Sequence, residues 1–494
     1  MMKQPHNRNS GRPQSRPNSR PEQLAGGGPV RPINQRAAGL SWWPILFGGG
    51  IVLALFCAIA FVIYSVFFYE PKNRQNDLAA ATPTLEVVKF NPGEANLSTP
   101  ETNPALAADT DNTAIETGNQ PADQPAGSVA QVDTPIQPSA DQLLMTSPDY
   151  GIHAFLYWRP EVADRDLQLI ADAGFTWVKQ EFAWREIEGA GKGHFNWDNT
   201  DRMVDQIETY NLKILARVGV QPEWVGGGFP EIGPPDNYQD FADFLFALAS
   251  RYKGRIHAYQ IWNEPNLSRE WGEQPPSPTE YTELLKVAHA AIKQADPAAV
   301  VITAGLAPTT RHDHVAMPDT FFVQGMYDAG AAPYFDMLGV HGAGYRAPPD
   351  MDPGEIARDP AYSNPGDHEA GIPEELRRIY GFRHVEDVRE IMVRNGDANK
   401  RVVVLEFGWT TDNRQNSPYR WHHVGEDAQG EYIVGAYQYA KENWQPWIAL
   451  MTVIYMPDSE WSTEDEQWYW SIIVPRWPDA WPRPAYWMFK DMPK

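Results

Sequence analysis

The sequence predicts an α/β protein with a parallel TIM (β/α)8 barrel, preceded by a disordered arm, one transmembrane helix and a disordered linker. From Asp149 onward, apolar strand-like runs alternate with amphipathic helical patterns, which is typical of parallel βα units. Eight such runs occur, as a barrel requires. Two of them end in a glutamate, and in a barrel such residues meet at one face.

Residues 1–44 are expected to form a disordered basic arm on the cytoplasmic side of a membrane. They contain seven Lys and Arg residues against a single acid, Glu22, and almost no large apolar side chain before Trp42. A segment of this composition cannot bury enough apolar surface to offset the entropy lost on ordering.

Residues 45–69 are predicted to be a transmembrane signal anchor. The run has no charged residue and, as a helix, exceeds the roughly 30 Å hydrocarbon core of a bilayer. It is longer than the apolar region of a cleaved signal peptide, so we favour an anchor that stays attached. Basic residues precede it, so the positive-inside rule places the N-terminus in the cytoplasm and the rest of the chain outside.

Residues 70–148 are rich in Pro, Ala, Thr, Asp and Gln, which is the composition of a disordered, extended linker. Residues 149–494 are then the barrel. The formal net charge of -23 argues against nucleic-acid binding, which needs a basic surface. The single cysteine, Cys57, lies in the predicted span, so the exported domain is expected to fold without disulfides.

The barrel elements follow from periodicity. The predicted strands are 151–157, 177–182, 213–220, 258–262, 299–305, 337–341, 401–407 and 448–455. Helical patterns with apolar residues three and four positions apart fall between them, at 164–173, 238–252, 278–295, 374–395 and 430–444.

The fourth and seventh predicted strands each present one carboxylate at the C-terminal end. The segment Trp-Asn-Glu-Pro-Asn places Glu264 after the fourth strand, and the run Val-Val-Val-Leu-Glu-Phe-Gly-Trp places Glu406 at the end of the seventh. Asn263 adds an amide donor beside the first carboxyl, and the proline that follows ends the strand. Most enzymes that hydrolyse glycosidic bonds use two carboxyl groups on either side of the bond that is cleaved.

These motifs resemble those of the clan A glycoside hydrolases, and the Trp-Asn-Glu-Pro-Asn form is most similar to family 39 and to cellulase-like relatives in family 5. The resemblance implies that Glu264 is the general acid/base and Glu406 the nucleophile of a retaining mechanism. It also implies that Asn263 hydrogen-bonds the 2-hydroxyl of the sugar.

The segment 174–184 is similar to the second-strand pattern of the clan, but Lys179 stands where an arginine is common. Lysine offers a point charge instead of a bidentate fork, so Arg217 on the third strand is a candidate for the missing guanidinium. His341 and Tyr345 occupy the zone where clan members place a His or Tyr near the nucleophile, and a tyrosine there would orient Glu406. The alternative for His341 is a histidine satisfied by a backbone carbonyl.

Tryptophans at strand ends or in the following loops are candidates for stacking on sugar faces, although large aromatic residues more often belong to the core. The candidates are Trp158, Trp184, Trp224, Trp271, Trp409 and Trp461. No cofactor or metal is expected, because His312-Asp313-His314 and His422-His423 lack a second cluster at zinc spacing. Calcium in the acid-rich loops 350–367 and 460–466 is the disfavoured alternative.

The expected function is a membrane-anchored, extracellular retaining glycoside hydrolase that cleaves a polysaccharide or oligosaccharide. Its expected partners are the carbohydrate substrate and, through residues 45–69, the lipid bilayer. An exo-acting glycosidase, a transglycosylase with the same site and a non-catalytic carbohydrate-binding surface protein remain alternatives. The presence of both carboxyls disfavours the last of these.

Protease added to intact cells is expected to release the barrel by cutting between about residues 71 and 147, because extended linkers are preferred sites of proteolysis. Immunoblotting of the medium and of the cell pellet measures the release. Protection in intact cells combined with cleavage in lysed cells would reverse the predicted topology.

Overall fold

The computed structural model describes residues 144–476 and 478–494. The predicted arm, the predicted span and the linker up to residue 143 lie outside these residues and stay predictions. Among the helices of the described residues, none combines the length and the apolar character needed to cross a bilayer.

Eight parallel strands close into a ring, which confirms the predicted TIM barrel. Each strand pairs with its neighbour in sequence, and the last pairs with the first. The strands are β1 Asp149–Ala154, β2 Trp177–Ala183, β3 Lys213–Gly219, β4 Ile256–Ile261, β5 Val300–Ile302, β6 Met337–His341, β7 Arg401–Phe407 and β8 Ile448–Val453. A short antiparallel pair, β9 Ile473–Pro475 and β10 Ala480–Pro482, follows the barrel.

Helices surround the barrel and fill its loops. The α-helices of the described residues are α1 Ala163–Ala173, α2 Trp184–Ile187, α3 Asp198–Thr209, α4 Tyr238–Arg251, α5 Pro278–Ala295, α6 Asp319–Asp328, α7 Pro353–Arg358, α8 Pro365–Glu369, α9 Glu374–Arg377, α10 His384–Arg394, α11 Glu426–Asn443, α12 Gln467–Trp470 and α13 Pro484–Asp491. The predicted helix at 374–395 is divided into α9, a 3-10 turn at Arg378–Tyr380 and α10. The division falls at Gly381, whose backbone is extended, in keeping with the low helix propensity of glycine.

Alternate side chains of each strand point into the barrel and fill it. Trp177, Leu215, Ala258 and Leu405 belong to one buried cluster inside the ring. Since side chains of a strand alternate between its two faces, Lys179 also points inward, closer to the C-terminal mouth than Trp177. Its side chain is fully buried.

The opposite end of the barrel is closed by residues 144–148, which the sequence analysis assigned to the linker. Met145 is 1% exposed and packs in the inner cluster. Arg401 donates to the Met145 carbonyl at 3.1 Å, and Lys213 donates to the Leu144 carbonyl at 2.6 Å. The packed domain therefore begins before residue 149, because the barrel floor needs an apolar side chain to cover it.

Met145→Ala is expected to lower the free energy of unfolding by about 2–4 kcal/mol, because it leaves a cavity at the barrel floor. Leu144→Ala is the matched control and should have a smaller effect, since Leu144 is only partly buried. Urea denaturation of the purified protein measures both. Equal losses in the two variants would contradict the role of Met145 as the floor of the core.

Candidate active site

A bulge in β7 turns Glu406 into the mouth of the barrel. Val403 and Leu405 lie in the inner cluster, so strict alternation would direct Glu406 toward the helices. The register between β6 and β7 shifts immediately before the pair His341 and Glu406. A bulge of this kind re-aims a side chain, and here it brings the carboxylate above the filled core.

Three nitrogen-bearing side chains surround one oxygen of Glu406. Lys179 Nζ lies 2.7 Å from Oε1 and also donates to the Leu405 carbonyl at 3.2 Å. His153 Nδ1 lies 3.7 Å from Oε1, and His341 Nε2 lies 3.9 Å from it. Lysine thus takes over the place that an arginine commonly holds, with a single ammonium contact.

This surrounding favours an ionised Glu406. Burial alone would raise the pKa of its carboxyl, but the electrostatic effect of Lys179 above all, with His341, His153 and Arg217 adding to it, outweighs burial and holds the pKa well below its ordinary value. Burial and the neighbouring Lys179 lower the pKa of His153 well below its ordinary value. Burial also lowers the pKa of Lys179, against the opposing charge of Glu406.

Glu264 follows β4 in a strained turn. Trp262 and Glu264 have positive φ angles of 69° and 44°, which cost about 1–3 kcal/mol each for non-glycine residues. Hydrogen bonds hold the turn: the Trp262 amide donates to Val218 at 2.8 Å, and the Glu264 amide donates to Gly305 at 3.0 Å. The strain presents the Glu264 carboxyl to the barrel mouth.

His341 connects the two glutamates. Its Nδ1 lies 3.1 Å from Glu264 Oε1, while its other ring nitrogen faces Glu406. A Cβ on Gly305 would overlap this imidazole, so the neighbouring strand end needs a glycine. The two carboxylates therefore lie on either side of a single ring, and Tyr345 takes no part in joining them.

The second oxygen of Glu264 faces Arg269, whose guanidinium lies 3.1 Å from Oε2. Burial raises the pKa of Glu264, but the hydrogen bond and charge of His341 together with the charge of Arg269 outweigh burial, so the pKa is lowered overall. These partners therefore favour the ionised form of Glu264.

Both glutamates open into one cavity of about 470 Å³ at the barrel mouth. Its walls come from the C-terminal ends of β3, β6 and β7 and from the loops after β4 to β8, and they are mostly polar. They consist of Arg217, Asn263, Glu264, Arg269, Glu270, Pro308, His341, Ala343, Glu406, Tyr419, Ile454, Tyr455, Glu466, Gln467 and Trp470.

Two further carboxylates in this cavity were missed by the sequence analysis. Burial raises the pKa of Glu270 to about 7, against the opposing charges of Arg217 and Arg269. Burial also raises the pKa of Glu466, which accepts a hydrogen bond from Trp470 Nε1 at 2.8 Å. Neither residue lies at the end of a strand, so the strand pattern of the sequence does not predict that either one faces the cavity.

Asn263 lines the cavity with a fixed amide. Gln260 donates to its Oδ1 at 3.3 Å, so the amide oxygen faces the barrel wall. The Asn263 NH₂ group is then the part that can donate to a ligand in the cavity. The sequence analysis placed this residue correctly beside Glu264.

Two predicted contacts to Glu406 are absent from the described residues. Arg217 lines the cavity, but its ion pair is with Glu181 at 3.4 Å, because the neighbouring strand places that carboxylate closer. Tyr345 lies in a separate aromatic cluster, with ring centroids 4.9 Å from Tyr380 and 5.9 Å from Trp421. Among the described residues, the ring neighbours of Tyr345 therefore belong to this cluster.

Half of the six predicted sugar platforms are core residues. Trp184, Trp271 and Trp409 are fully buried, so these three predictions are wrong. Each packs under a loop or helix that folds back over the strand end, and the Trp409 indole donates to the Ala347 carbonyl at 2.9 Å. The partly exposed Trp158, Trp224 and Trp461 lie outside the cavity wall.

The aromatic side chains that do line the cavity are Tyr419, Tyr455 and Trp470. Trp461 packs behind Tyr455, with ring centroids 5.3 Å apart. Within residues 144–476 and 478–494, no group of three His, Cys, Asp or Glu side chains is arranged to hold a metal ion.

Residues 153–247 match a family model described as β-galactosidase, glycoside hydrolase family 42. No match was found among curated proteins. A family 39 glycoside hydrolase from the gut symbiont Bacteroides cellulosilyticus WH2 is similar in structure, with a TM-score of 0.50 and 18% identity, over 72% of this chain and 64% of that chain. The present chain thus spans less than two thirds of that protein.

Two other solved structures show the same kind of likeness. GH5_18 from Streptomyces cattleya aligns at 13% identity over 70% of this chain and 80% of that chain, with a TM-score of 0.49. Xylanase 10B from Thermotoga maritima aligns at 14% identity over 72% and 96%, with a TM-score of 0.43. The family match over residues 153–247 and the closed barrel agree with the resemblance to the clan A glycoside hydrolases.

Lys179→Met is expected to move the acidic limb of the kcat/KM profile to higher pH by about one unit or more. The ionised form of Glu406 loses its closest cation, so the carboxyl binds a proton at higher pH and activity disappears earlier on acidification. Lys293→Met is the matched control, because that ammonium pairs with Asp336 at 2.6 Å outside the cavity. An unchanged acidic limb in folded Lys179→Met would contradict this electrostatic role.

Proposed function

We propose that the protein is a retaining glycoside hydrolase in which Glu406 is the nucleophile and Glu264 the general acid/base. The observation that supports this most is the position of the two carboxylates, which face opposite nitrogens of the His341 ring in one cavity. The strand positions agree with the roles that the resemblance to clan A implies.

Glu406 is suited to attack the anomeric carbon. Lys179 contacts Oε1 at 2.7 Å, and the His153 and His341 rings lie within 4 Å of the same oxygen, so we assign the attack to Oε2. In the first step the bond from Oε2 to the anomeric carbon forms while the bond to the glycosidic oxygen breaks. Glu264 gives its proton to that oxygen, and the leaving group departs with a free hydroxyl.

In the second step Glu264, now a carboxylate, removes a proton from water. The water oxygen attacks the anomeric carbon and releases Glu406, which restores the starting charges. Asn263 is positioned to donate its amide N–H to the 2-hydroxyl, a contact that strengthens as the ring flattens in the transition state.

Glu270 is the rival candidate for the acid, since a buried carboxyl with a pKa of about 7 is suited to hold a proton at neutral pH. We favour Glu264 because it shares His341 with the nucleophile, whereas Glu270 lies in the cavity wall beside Arg217 and Arg269. His341 and Arg269 lower the pKa of Glu264, so substrate binding must raise this pKa for Glu264 to act as the acid.

The proposed substrate is a polysaccharide or oligosaccharide. A volume of about 470 Å³ falls in the range of small-ligand sites, and the polar walls suit hydroxyl groups. The compact cavity and the burial of three expected platforms favour an exo-acting glycosidase as the second candidate. Transfer to a sugar acceptor instead of water would use the same residues.

We also propose that the barrel is extracellular and tethered by residues 45–69. The support is the uncharged apolar run and the basic arm before it. The absence of charged residues in this run and its length of 25 residues suit a helix that spans a bilayer.

Glu264→Gln and Glu406→Gln should each reduce kcat by about 10²-fold or more, because each removes one half of the double displacement. Glu270→Gln should retain activity within about tenfold, and the exposed Glu460→Gln should match the wild type. Steady-state assays on aryl β-galactosides, β-glucosides and β-xylosides, with circular dichroism as the folding control, measure the series. Loss of activity in Glu270→Gln with retention in Glu264→Gln would transfer the acid role to Glu270.

A further inference from the structure

Arg269 lies where the leaving group must arrive. Glu264 Oε1 is occupied by His341, so Oε2 is the oxygen available to protonate the glycosidic oxygen. That same Oε2 is in contact with the Arg269 guanidinium at 3.1 Å. The leaving group extends from the glycosidic oxygen, so the guanidinium borders the leaving-group side of the cavity.

The Arg269 side chain can change partners without moving its backbone. It is 67% exposed and lies in a 3-10 turn, Ser268–Glu270, whose Glu270 amide donates to the Leu267 carbonyl at 3.1 Å. The turn holds the Cα position, while the exposed end of the side chain remains free to rotate.

A productive complex removes the anionic partner of Arg269. Glu264 must carry a proton to act as an acid, and a neutral carboxyl no longer forms an ion pair. The other adjacent carboxylate, Glu270, has Oε1 3.9 Å from Arg269 Nε, beyond hydrogen-bond distance. Burial raises the pKa of Glu270 to about 7, so it is a poor replacement.

We infer that Arg269 binds an anionic substituent, a carboxylate or a sulfate, on the leaving-group side of the substrate. The inference rests on the proposed function, because it takes Glu264 as the acid. A guanidinium presents parallel N–H donors that match a carboxylate or sulfate in a bidentate arrangement. An acidic polysaccharide or oligosaccharide is therefore the substrate class that this cavity selects.

The exchange of partners also prepares the acid. When Arg269 moves from Glu264 to the substituent, Glu264 loses a nearby cation and its protonated form is favoured. Recognition of a charged leaving group and protonation of the general acid are thereby coupled through one side chain.

The test compares phenyl glycosides that carry a meta carboxylate, a meta sulfonate or a neutral meta carboxamide on the leaving group. The glycone is galactose, glucose or xylose, whichever the full-length wild type cleaves. The wild type is expected to favour the charged probes over the carboxamide by about tenfold in kcat/KM. Arg269→Gln should abolish this preference and Arg269→Lys should retain part of it. The ratio of kcat/KM for the carboxylate probe to that for the sulfonate probe shows whether Arg269 prefers a carboxylate or a sulfate-like group.

Arg358→Gln is the matched control and should keep the wild-type preference. This exposed arginine, at the end of α7, pairs with Glu374 of α9 at 2.8 Å. Dividing each variant's efficiency by that of the wild type on the same probe cancels differences in leaving-group reactivity. The same preference in Arg269→Gln as in the wild type, or no preference in the wild type, overturns the inference and leaves the proposed glycosidase intact. Failure of the wild type to cleave any of the probes contradicts both.

Discussion

The closed ring of eight parallel strands is the constraint on which the candidate site depends. All C-terminal strand ends open on one face, so His153, Lys179, Glu264, His341 and Glu406 converge although the chain separates them widely. Buried apolar side chains fill the ring below them. The ion pair of Lys179 and Glu406 therefore forms on top of a dry core, where charges interact strongly.

The two glutamates lie in different surroundings, as a double displacement requires. Glu406 is held from inside the barrel by a fully buried lysine, which cannot be replaced by solvent. Glu264 is held by His341 and by an arginine that is mostly exposed. In the proposed mechanism, Glu406 is thus held ionised for nucleophilic attack, while Glu264, the proposed acid/base, has a partner that substrate can displace. This difference supports separate roles for the two carboxylates.

Sequence periodicity was sufficient for the barrel and for the strand ends that bear Glu264 and Glu406. The resemblance of segment 174–184 to the clan A pattern pointed to Lys179 in place of an arginine, but not to the bulge in β7 that its contact with Glu406 needs. A bulge is a pairing irregularity between strands distant in sequence, so a single strand does not reveal it.

The errors at the predicted sugar platforms and the missed carboxylates have one physical origin, which is that loop packing is long-range. Trp184, Trp271 and Trp409 follow strands as binding residues do, yet the loops and helices after them fold back and bury them. Glu270 and Glu466 stand in loops with no periodic signal, and only the folded chain brings them to the cavity wall.

The measurement that tests this account most directly is the trapping of the covalent intermediate. A glycoside with a fluorine at carbon 2 and a reactive leaving group slows the second step more than the first, so a retaining enzyme accumulates its glycosyl adduct. Peptide mass spectrometry is expected to find the added sugar on Glu406 in the wild type and no adduct in Glu406→Gln. A label on Glu264 or Glu270, or continued turnover of this reagent without any adduct, would contradict the assignment of Glu406 as the nucleophile.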